Sequence, residues 1–274
     1  MKTAVILAVL AASAASVSAA APTAKPTTYH QPIKIERQWR NYCPGHINFQ
    51  ITSPETKGAQ IYKAIIPNPE EYITDNARRV IQTLYFSPSD SIPDVRRINY
   101  IVRDFDGISY KSGDVPTVQI DYSTRWIEKA YSEKCDTLKL DYETRGVIYH
   151  ELTHAFQLGP QGCGEYDGKS PYWSFIEGLA DAVRVACGCF EQDFASKDRP
   201  RGGNWMSGYR TTGYFLYWLS LNKDKDFIRK FNRSALEVVP WSWDAACHHI
   251  LGDDEKYSVE NLWNEYQTAI GDKK

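Results

Sequence analysis

The sequence predicts an α+β fold, because its two halves carry different hydrophobic patterns. In the first half, residues 46–52 alternate apolar and polar side chains, and residues 97–103 and 117–121 are rich in strand-forming residues. In the second half, apolar residues recur at helical spacing over longer stretches. No repeat or long linker appears after residue 28, so we expect one domain.

The first half also contains one predicted helix, over residues 74–86, with Thr74 as its N-cap. The two later strands follow it, and Gly107 and Gly113 mark a turn between them. The first half is therefore expected to be a mixture of strands and helix.

The predicted helices of the second half cover residues 142–158, 170–188, 207–221 and 258–270. The first of these ends at Gly159 and Pro160, which break helices. The second begins with Ser170 as N-cap and Pro171 at the first helical position. The C-terminal part of the domain is therefore expected to be mainly helical.

Residues 1–20 form a predicted signal peptide. Lys2 supplies the positive charge, residues 4–15 form an apolar run, and small residues that suit cleavage follow. The apolar run is too short to span a membrane. We therefore expect a secreted, extracellular protein, in which residues 21–32 form a flexible lead or short propeptide and residues 33–274 form the folded domain.

The composition is that of an ordinary globular protein, with 274 residues, 42% hydrophobic and 24% charged. The formal net charge is -2 at pH 7, so neither nucleic acid nor an anionic membrane surface is an expected partner. No later segment is long and apolar enough to span a membrane. We expect a monomer.

Two further features follow from the predicted secretion. The chain has six cysteines after the signal peptide, which predicts three disulfides, with Cys187 and Cys189 each paired to a different element. A thiolate metal site is the alternative, but no CxxC pair supports it. Asn232 begins an N-glycosylation sequon, which predicts a glycoprotein if Asn232 is exposed.

The most informative segment is the HExxH sequence that begins at His150. It lies in an apolar run that is predicted to be helical, so His150 and His154 share one helix face. Two imidazoles at this spacing can bind one zinc ion, and Glu151 is placed to act on a water there. Gly146, one turn earlier, keeps the face open for a close neighbour. The glycine–histidine extension of the motif is absent, since Gln157 stands at the glycine position.

A catalytic zinc ion needs a third protein ligand, and Glu177 is the candidate. Asp181 shares its helix face and is expected to accept the N–H of a ligating histidine. Two carboxylates in an otherwise apolar helix are costly to bury without partners, which a metal and a histidine would supply. The alternative interpretation is a pair of surface acids beside Arg184. His248 and His249 are a weaker choice of ligand.

These residues predict a mechanism with one zinc ion per chain. Zinc would lower the pKa of a water toward about 7, and Glu151 would take its proton and pass it to the leaving amine. Tyr209, at the start of the third helix, is the predicted hydrogen-bond donor to the oxyanion, with Tyr214 as the alternative. Residues 118–121 are predicted to form an edge strand that aligns the substrate backbone.

The chain resembles the plant basic secretory proteins and their bacterial and fungal relatives, which are zincin-like metallopeptidases. The segments that carry the resemblance are RDFDGISY at 103–110, HELTHAFQ at 150–157, EGLAD at 177–181, GYRTTGYFL at 208–216 and LWNEY at 262–266. The resemblance implies a zincin-like fold, in which a small twisted mixed sheet packs on the HExxH helix and the C-terminal lobe is mainly helical. It also implies that Glu177 is the third zinc ligand.

The predicted function is hydrolysis of peptide bonds in a protein or peptide by a secreted zinc metallopeptidase. The GxMEN strand of zinc aminopeptidases is absent, which favours an endopeptidase. The alternative is a secreted defence or wall-associated binding protein with the same fold and little turnover, but such a protein would not need Glu151. A zinc hydrolase of another amide or a glycoprotein is a third alternative, because substrate choice depends on loops.

Overall fold

Four strands and nine α-helices form the part of the chain that the structure, a computed structural model, describes: residues 31–132, 137–190 and 199–273. The predicted signal peptide, most of the predicted lead and Cys135 lie outside these residues. Buried apolar side chains from both halves of the chain form one cluster. None of the described helices has the length and apolar character needed to cross a membrane.

The strands form one mixed sheet in the first half of the chain. They are β1 (His46–Ile51), β2 (Arg97–Arg103), β3 (Ser109–Asp114) and β4 (Thr117–Ser123). The sheet order is β1-β2-β4-β3, in which β1, β2 and β4 run parallel and β3 runs antiparallel to β4. The predicted α+β class and the small mixed sheet are therefore confirmed.

The edge strand next to β4 is β3, and the sequence prediction of the edge strand is wrong. Residues 118–121 lie in β4, which pairs with β2 on one side and with β3 on the other. The sequence SYKSGD of β3 lacks apolar alternation, so periodicity does not reveal it. Gly113, interpreted as part of a turn, is a residue of this strand.

Three helices accompany the sheet in the first half: α1 (Lys57–Ile65), α2 (Pro69–Leu84) and α3 (Thr124–Ser132). Helix α2 begins five residues before the predicted Thr74, with Asn68 as N-cap and Pro69 in the first turn. Glu70 and Glu71 fill that first turn, where the helix dipole favours negative charge. A proline at the first helical position, followed by acidic residues, marks the start of a helix, and the sequence prediction did not use this signal.

The second half contains α4 (Thr137–Phe156), α5 (Pro171–Ala186), α6 (Tyr209–Asn222), α7 (Phe227–Glu237), α8 (Trp243–Leu251) and α9 (Val259–Ala269). The predicted start of α5 is confirmed, since Ser170 Oγ accepts a hydrogen bond from the backbone N–H of Trp173 at 3.0 Å. Helix α4 packs against β3, β4, α2, α3 and α5. It is therefore enclosed on several sides, which explains why the polar residues between Thr144 and His154 are buried.

Two predictions that depend on secretion do not agree with the structure. The five described cysteines are all free, and four of them are buried, so the three predicted disulfides are not supported. Cys187 contacts Thr83 at 3.5 Å, and Cys189 contacts the carbonyl of Tyr142 at 3.7 Å, as small packed side chains do. Asn232 is fully buried. The glycosylation prediction is therefore wrong for the folded chain, because a glycan needs an exposed amide.

Candidate metal centre

His150 and His154 lie one turn apart on α4, and their ring nitrogens converge. The two Nε2 atoms are 3.1 Å apart, and the rings are nearly perpendicular, at 89°. Glu177, on α5, brings Oε2 to 3.3 Å from Nε2 of His150 and 3.7 Å from Nε2 of His154. One ligand atom from each residue lies within 4.8 Å of the others, so this buried group could hold a metal ion.

Close helix packing brings these residues together. A Cβ on Gly146 of α4 would lie 2.7 Å from the ring of Phe190 and 3.0 Å from Nε of Arg184, so the expected close neighbour on this face is present. On the other side of α5, a Cβ on Gly178 would lie 2.3 Å from Cγ2 of Thr212 in α6. The absence of side chains at these two glycines therefore lets α5 lie close to both neighbouring helices.

The outer nitrogens of the two histidines also have partners. Nδ1 of His150 lies 2.8 Å from Oδ1 of Asp181, the carboxylate that was expected to orient it. A proton on this Nδ1 leaves Nε2 free to bind a metal. Nδ1 of His154 lies 3.0 Å from Nε2 of Gln157, whose buried Oε1 has no partner. Turning this amide by 180° would let its oxygen accept the Nδ1 proton, which would also free Nε2 of His154.

The electrostatics of the group favour a bound cation. Burial alone would lower the pKa of His150, but hydrogen bonds to Asp181 and Glu177 raise it to about 10. Burial lowers the pKa of His154 to about 3, so this imidazole is neutral at pH 7 and can act as a ligand. Two buried carboxylates thus surround a position that attracts one positive charge, either a proton or a metal ion.

Glu151 is fully buried, and neither of its carboxylate oxygens has a hydrogen-bond partner. Burial raises the pKa of Glu151 to about 7, which suits a group that accepts and returns a proton near neutral pH. A buried carboxylate without partners is costly. This cost is understandable if Glu151 acts on a molecule that binds at the site.

Tyr209 lies at the same site. Its ring is parallel to that of His150, with the centroids 6.1 Å apart, and edge-on to Trp173 at 5.7 Å. It is the first residue of α6 and has a positive φ of 43°, after Gly208 with a φ of 69°. A Cβ on Gly208 would lie 2.3 Å from the Trp173 ring. The glycine therefore permits the tight turn that brings Tyr209 to the histidines.

The weaker sequence candidates lie elsewhere. Tyr214 is buried, and its hydroxyl donates to the carbonyl of Phe190 at 3.0 Å. His249 lies on α8, where its Nε2 is 3.0 Å from Oε2 of Glu237 in an exposed ion pair. Its neighbour His248 accompanies it on α8, outside the buried group. Tyr214 therefore has a packing role, and the two late histidines are not ligands of this centre.

Two site residues were missed by the sequence reasoning. Tyr166, in the glycine-rich loop between α4 and α5, donates a hydrogen bond from its hydroxyl to Oε1 of Glu177. Lys111, on β3, is buried with its Nζ 3.7 Å from Asp114; burial lowers its pKa, and the negative charges of Asp114 and Glu151 act in the opposite direction. Neither residue belongs to a periodic motif, so hydrophobic periodicity does not reveal them.

Fold and site together define an α+β protein with a buried His–His–Glu group that could hold a metal ion. The model of the BSP family, described as peptidase of plants and bacteria, matches residues 44–266, and the chain belongs to this family. The match spans the sheet and the whole candidate centre, and it confirms the resemblance that the motifs indicated. Comparisons with curated proteins and with solved structures found no match.

Proposed function

We propose that the protein is a secreted zinc-dependent metallopeptidase with a zincin-like fold, and that it acts as a monomeric endopeptidase on proteins or peptides. The observation that supports this most is the buried group of His150, His154 and Glu177 beside the unpartnered carboxylate of Glu151. Membership of a peptidase family supports the reaction class. The family match does not bear on secretion or on the kind of metal.

The donor set fits zinc. Two imidazole nitrogens and one carboxylate oxygen are the three protein ligands of many catalytic zinc sites, which keep a further position open. One zinc ion per chain would bind to His150, His154 and Glu177. It would supply Lewis acidity, which acidifies water and polarises a peptide carbonyl.

The protein's own residues would then share the remaining work. The carboxylate of Glu151 would accept a proton and return it to the nitrogen of the leaving amine. The hydroxyl of Tyr209 would donate a hydrogen bond to the oxygen on which negative charge develops. Asp181 would hold the tautomer of His150. The edge strand β3, rather than β4, would align an extended substrate by strand addition.

Secretion to the extracellular space is proposed from residues 1–20 alone. The five free cysteines and the buried sequon residue Asn232 add no support for an oxidising compartment. Identifying the mature N-terminus of protein recovered from the culture medium of expressing cells would test the proposal. An N-terminus near residue 21 is expected, and intact protein retained inside the cells would contradict secretion.

A digestion assay tests the proposed activity. Wild type and Glu151→Gln should each bind about one zinc ion, because the substitution leaves the three ligands in place. Only the wild type should cleave an unfolded protein substrate at internal bonds, and a chelator should abolish this cleavage until zinc is restored. The position of the cuts, read by mass spectrometry, separates endopeptidase from exopeptidase action.

Two results would contradict the proposal. Full activity of Glu151→Gln would remove Glu151 from the mechanism. Stable zinc binding by the wild type without cleavage of protein or peptide substrates would favour the binding-protein alternative, in which the metal has a structural role.

A further inference from the structure

The loop between α4 and α5 holds a tyrosine against the proposed metal ligand. The hydroxyl of Tyr166 donates to Oε1 of Glu177, while the other oxygen, Oε2, faces the histidines at 3.3 Å from Nε2 of His150 and 3.7 Å from Nε2 of His154. The two oxygens of one buried carboxylate therefore have different environments.

The loop is built to fix this tyrosine. The residue before Tyr166, Glu165, uses its carbonyl to accept a hydrogen bond from Oγ of Ser170. The residue after it, Asp167, accepts from the backbone N–H of Lys169 at 2.9 Å and of Ser170 at 2.7 Å. Ser170 is also the N-cap of α5. Tyr166 is thus attached on both sides to the start of the helix that carries Glu177.

We propose that Tyr166 is a positioning residue for the metal centre. By occupying Oε1 of Glu177, its hydroxyl directs Oε2 toward Nε2 of His150 and His154 and makes Glu177 a ligand through one oxygen. This inference rests on the proposed function, because it concerns the metal ligand role of Glu177. It assigns Tyr166 no contact with the substrate and leaves Tyr209 as the donor to the oxyanion.

Zinc affinity, measured by competition with a chelator, tests the proposal without using activity. Tyr166→Phe should bind zinc roughly 10- to 100-fold more weakly than the wild type, as is typical when a partner of a metal ligand is lost. Tyr172→Phe is the matched control, since Tyr172 lies at the start of α5 and none of the hydrogen bonds described for Glu177 comes from it. Its zinc affinity should equal that of the wild type.

A second readout separates positioning from a general structural effect. In the cobalt-substituted protein, Tyr166→Phe should change the visible absorption spectrum, because the coordination of Glu177 changes, whereas Tyr172→Phe should not. Tyr209→Phe should keep the zinc affinity and lower kcat instead, by about 100-fold or more, as the loss of an oxyanion donor does.

Asp167→Ala provides a variant that leaves the buried carboxylate and the phenol unchanged. Its side chain is exposed, so the fold should be retained, but the turn that carries Tyr166 loses two hydrogen bonds. We expect a loss of zinc affinity that is smaller than that of Tyr166→Phe, because local turn bonds are individually weak.

The outcomes separate the positioning role of Tyr166 from the proposed metallopeptidase function. If Tyr166→Phe and Asp167→Ala bind zinc as tightly as the wild type and the cobalt spectrum is unchanged, the positioning role of Tyr166 is wrong, while the metallopeptidase proposal stands. If the wild type binds no zinc, both are wrong.

Discussion

Two regions of the molecule pair a histidine with a carboxylate, and only one of them resembles a metal centre. At the α4–α5 contact, His150 lies 2.8 Å from Asp181, and the two side chains are 0% and 1% exposed. Between α7 and α8, His249 lies 3.0 Å from Glu237, and the side chains are 45% and 35% exposed. The residue types and distances are alike, so what differs is the surrounding packing.

The difference shows that burial determines whether the charges of such a pair are balanced by water or by neighbouring side chains. An exposed ion pair is solvated and screened, and it contributes little to stability. A buried pair cannot be solvated, so its charges must be balanced by neighbours. At the α4–α5 contact the balance includes a second histidine and a second carboxylate, which together could hold a metal ion. The α7–α8 pair lies outside this group and is solvated by water.

The largest expected effect is the loss of a ligand from the buried region alone. His154→Ala should weaken zinc binding by more than about 100-fold, which exceeds the typical effect of losing a residue that only supports a ligand. His249→Ala, in the exposed region, should leave zinc binding unchanged. Chelator competition measures both, and an equal loss in the two variants would erase the distinction between the regions.

The next effect concerns the orienting carboxylates of the two regions. Asp181→Asn keeps the size of the side chain but removes the charge beside His150, so zinc binding should weaken by about 10- to 100-fold. Glu237→Gln makes the same change beside His249 and should have no effect on zinc. Titration of each variant with a competing chelator gives the comparison, and wild-type affinity in Asp181→Asn would show that the carboxylate does not support the ligand.

A smaller effect is expected from the packing that buries the first region. A Cβ on Gly213 of α6 would lie 2.7 Å from Cβ of Asp181. Replacing glycine by alanine in a helix normally stabilises the fold by about 1 kcal/mol. Overpacking destabilises it by about 1–3 kcal/mol. The net expectation is that Gly213→Ala lowers the free energy of unfolding by about 1 kcal/mol. Gly159→Ala is the control, because its added Cβ meets only the Tyr172 hydroxyl, at 3.8 Å. Denaturant titration of the metal-free proteins measures both changes, and a stabilised Gly213→Ala would mean that the helices can move apart.

The smallest effect is expected for the exposed pair itself. His249→Ala should change the free energy of unfolding by less than about 1 kcal/mol, as is usual for surface ion pairs. Denaturant titration at two salt concentrations checks this. A larger, salt-independent loss would show that the α7–α8 pair is more important to folding than its exposure indicates.

The members of the buried group could be predicted from the sequence, because helical spacing places them in pairs on one helix face. Residues four apart share a helix face, which applies to His150 and His154 on one helix and to Glu177 and Asp181 on the other. Helical spacing does not predict which helices pack against each other. The sequence still predicts that Glu177 and Asp181 have polar or metal partners, because burying two carboxylates without partners is costly. In the structure, Nδ1 of His150 lies 2.8 Å from Oδ1 of Asp181, and His150, His154 and Glu177 lie together in one buried group.

The parts that could not be predicted depend on local geometry or on burial. Tyr166 reaches Glu177 because of a turn that Asp167 and Ser170 hold, and no periodicity marks such a turn. Strand β3 contains few apolar residues and is defined by its pairing with β4. The sequon at Asn232 shows only that the residues needed for N-glycosylation are present. Whether Asn232 is exposed depends on how α7 packs in the folded chain, where Asn232 is buried.

The most direct test of the account is to locate zinc in crystals of the loaded protein by anomalous diffraction at the zinc absorption edge. We expect one strong peak per chain, about 2.0–2.2 Å from Nε2 of His150, from Nε2 of His154 and from one oxygen of Glu177. A chain without bound zinc, or with zinc at His249 and Glu237 instead, would contradict the claim that the buried histidine–carboxylate region is the metal centre.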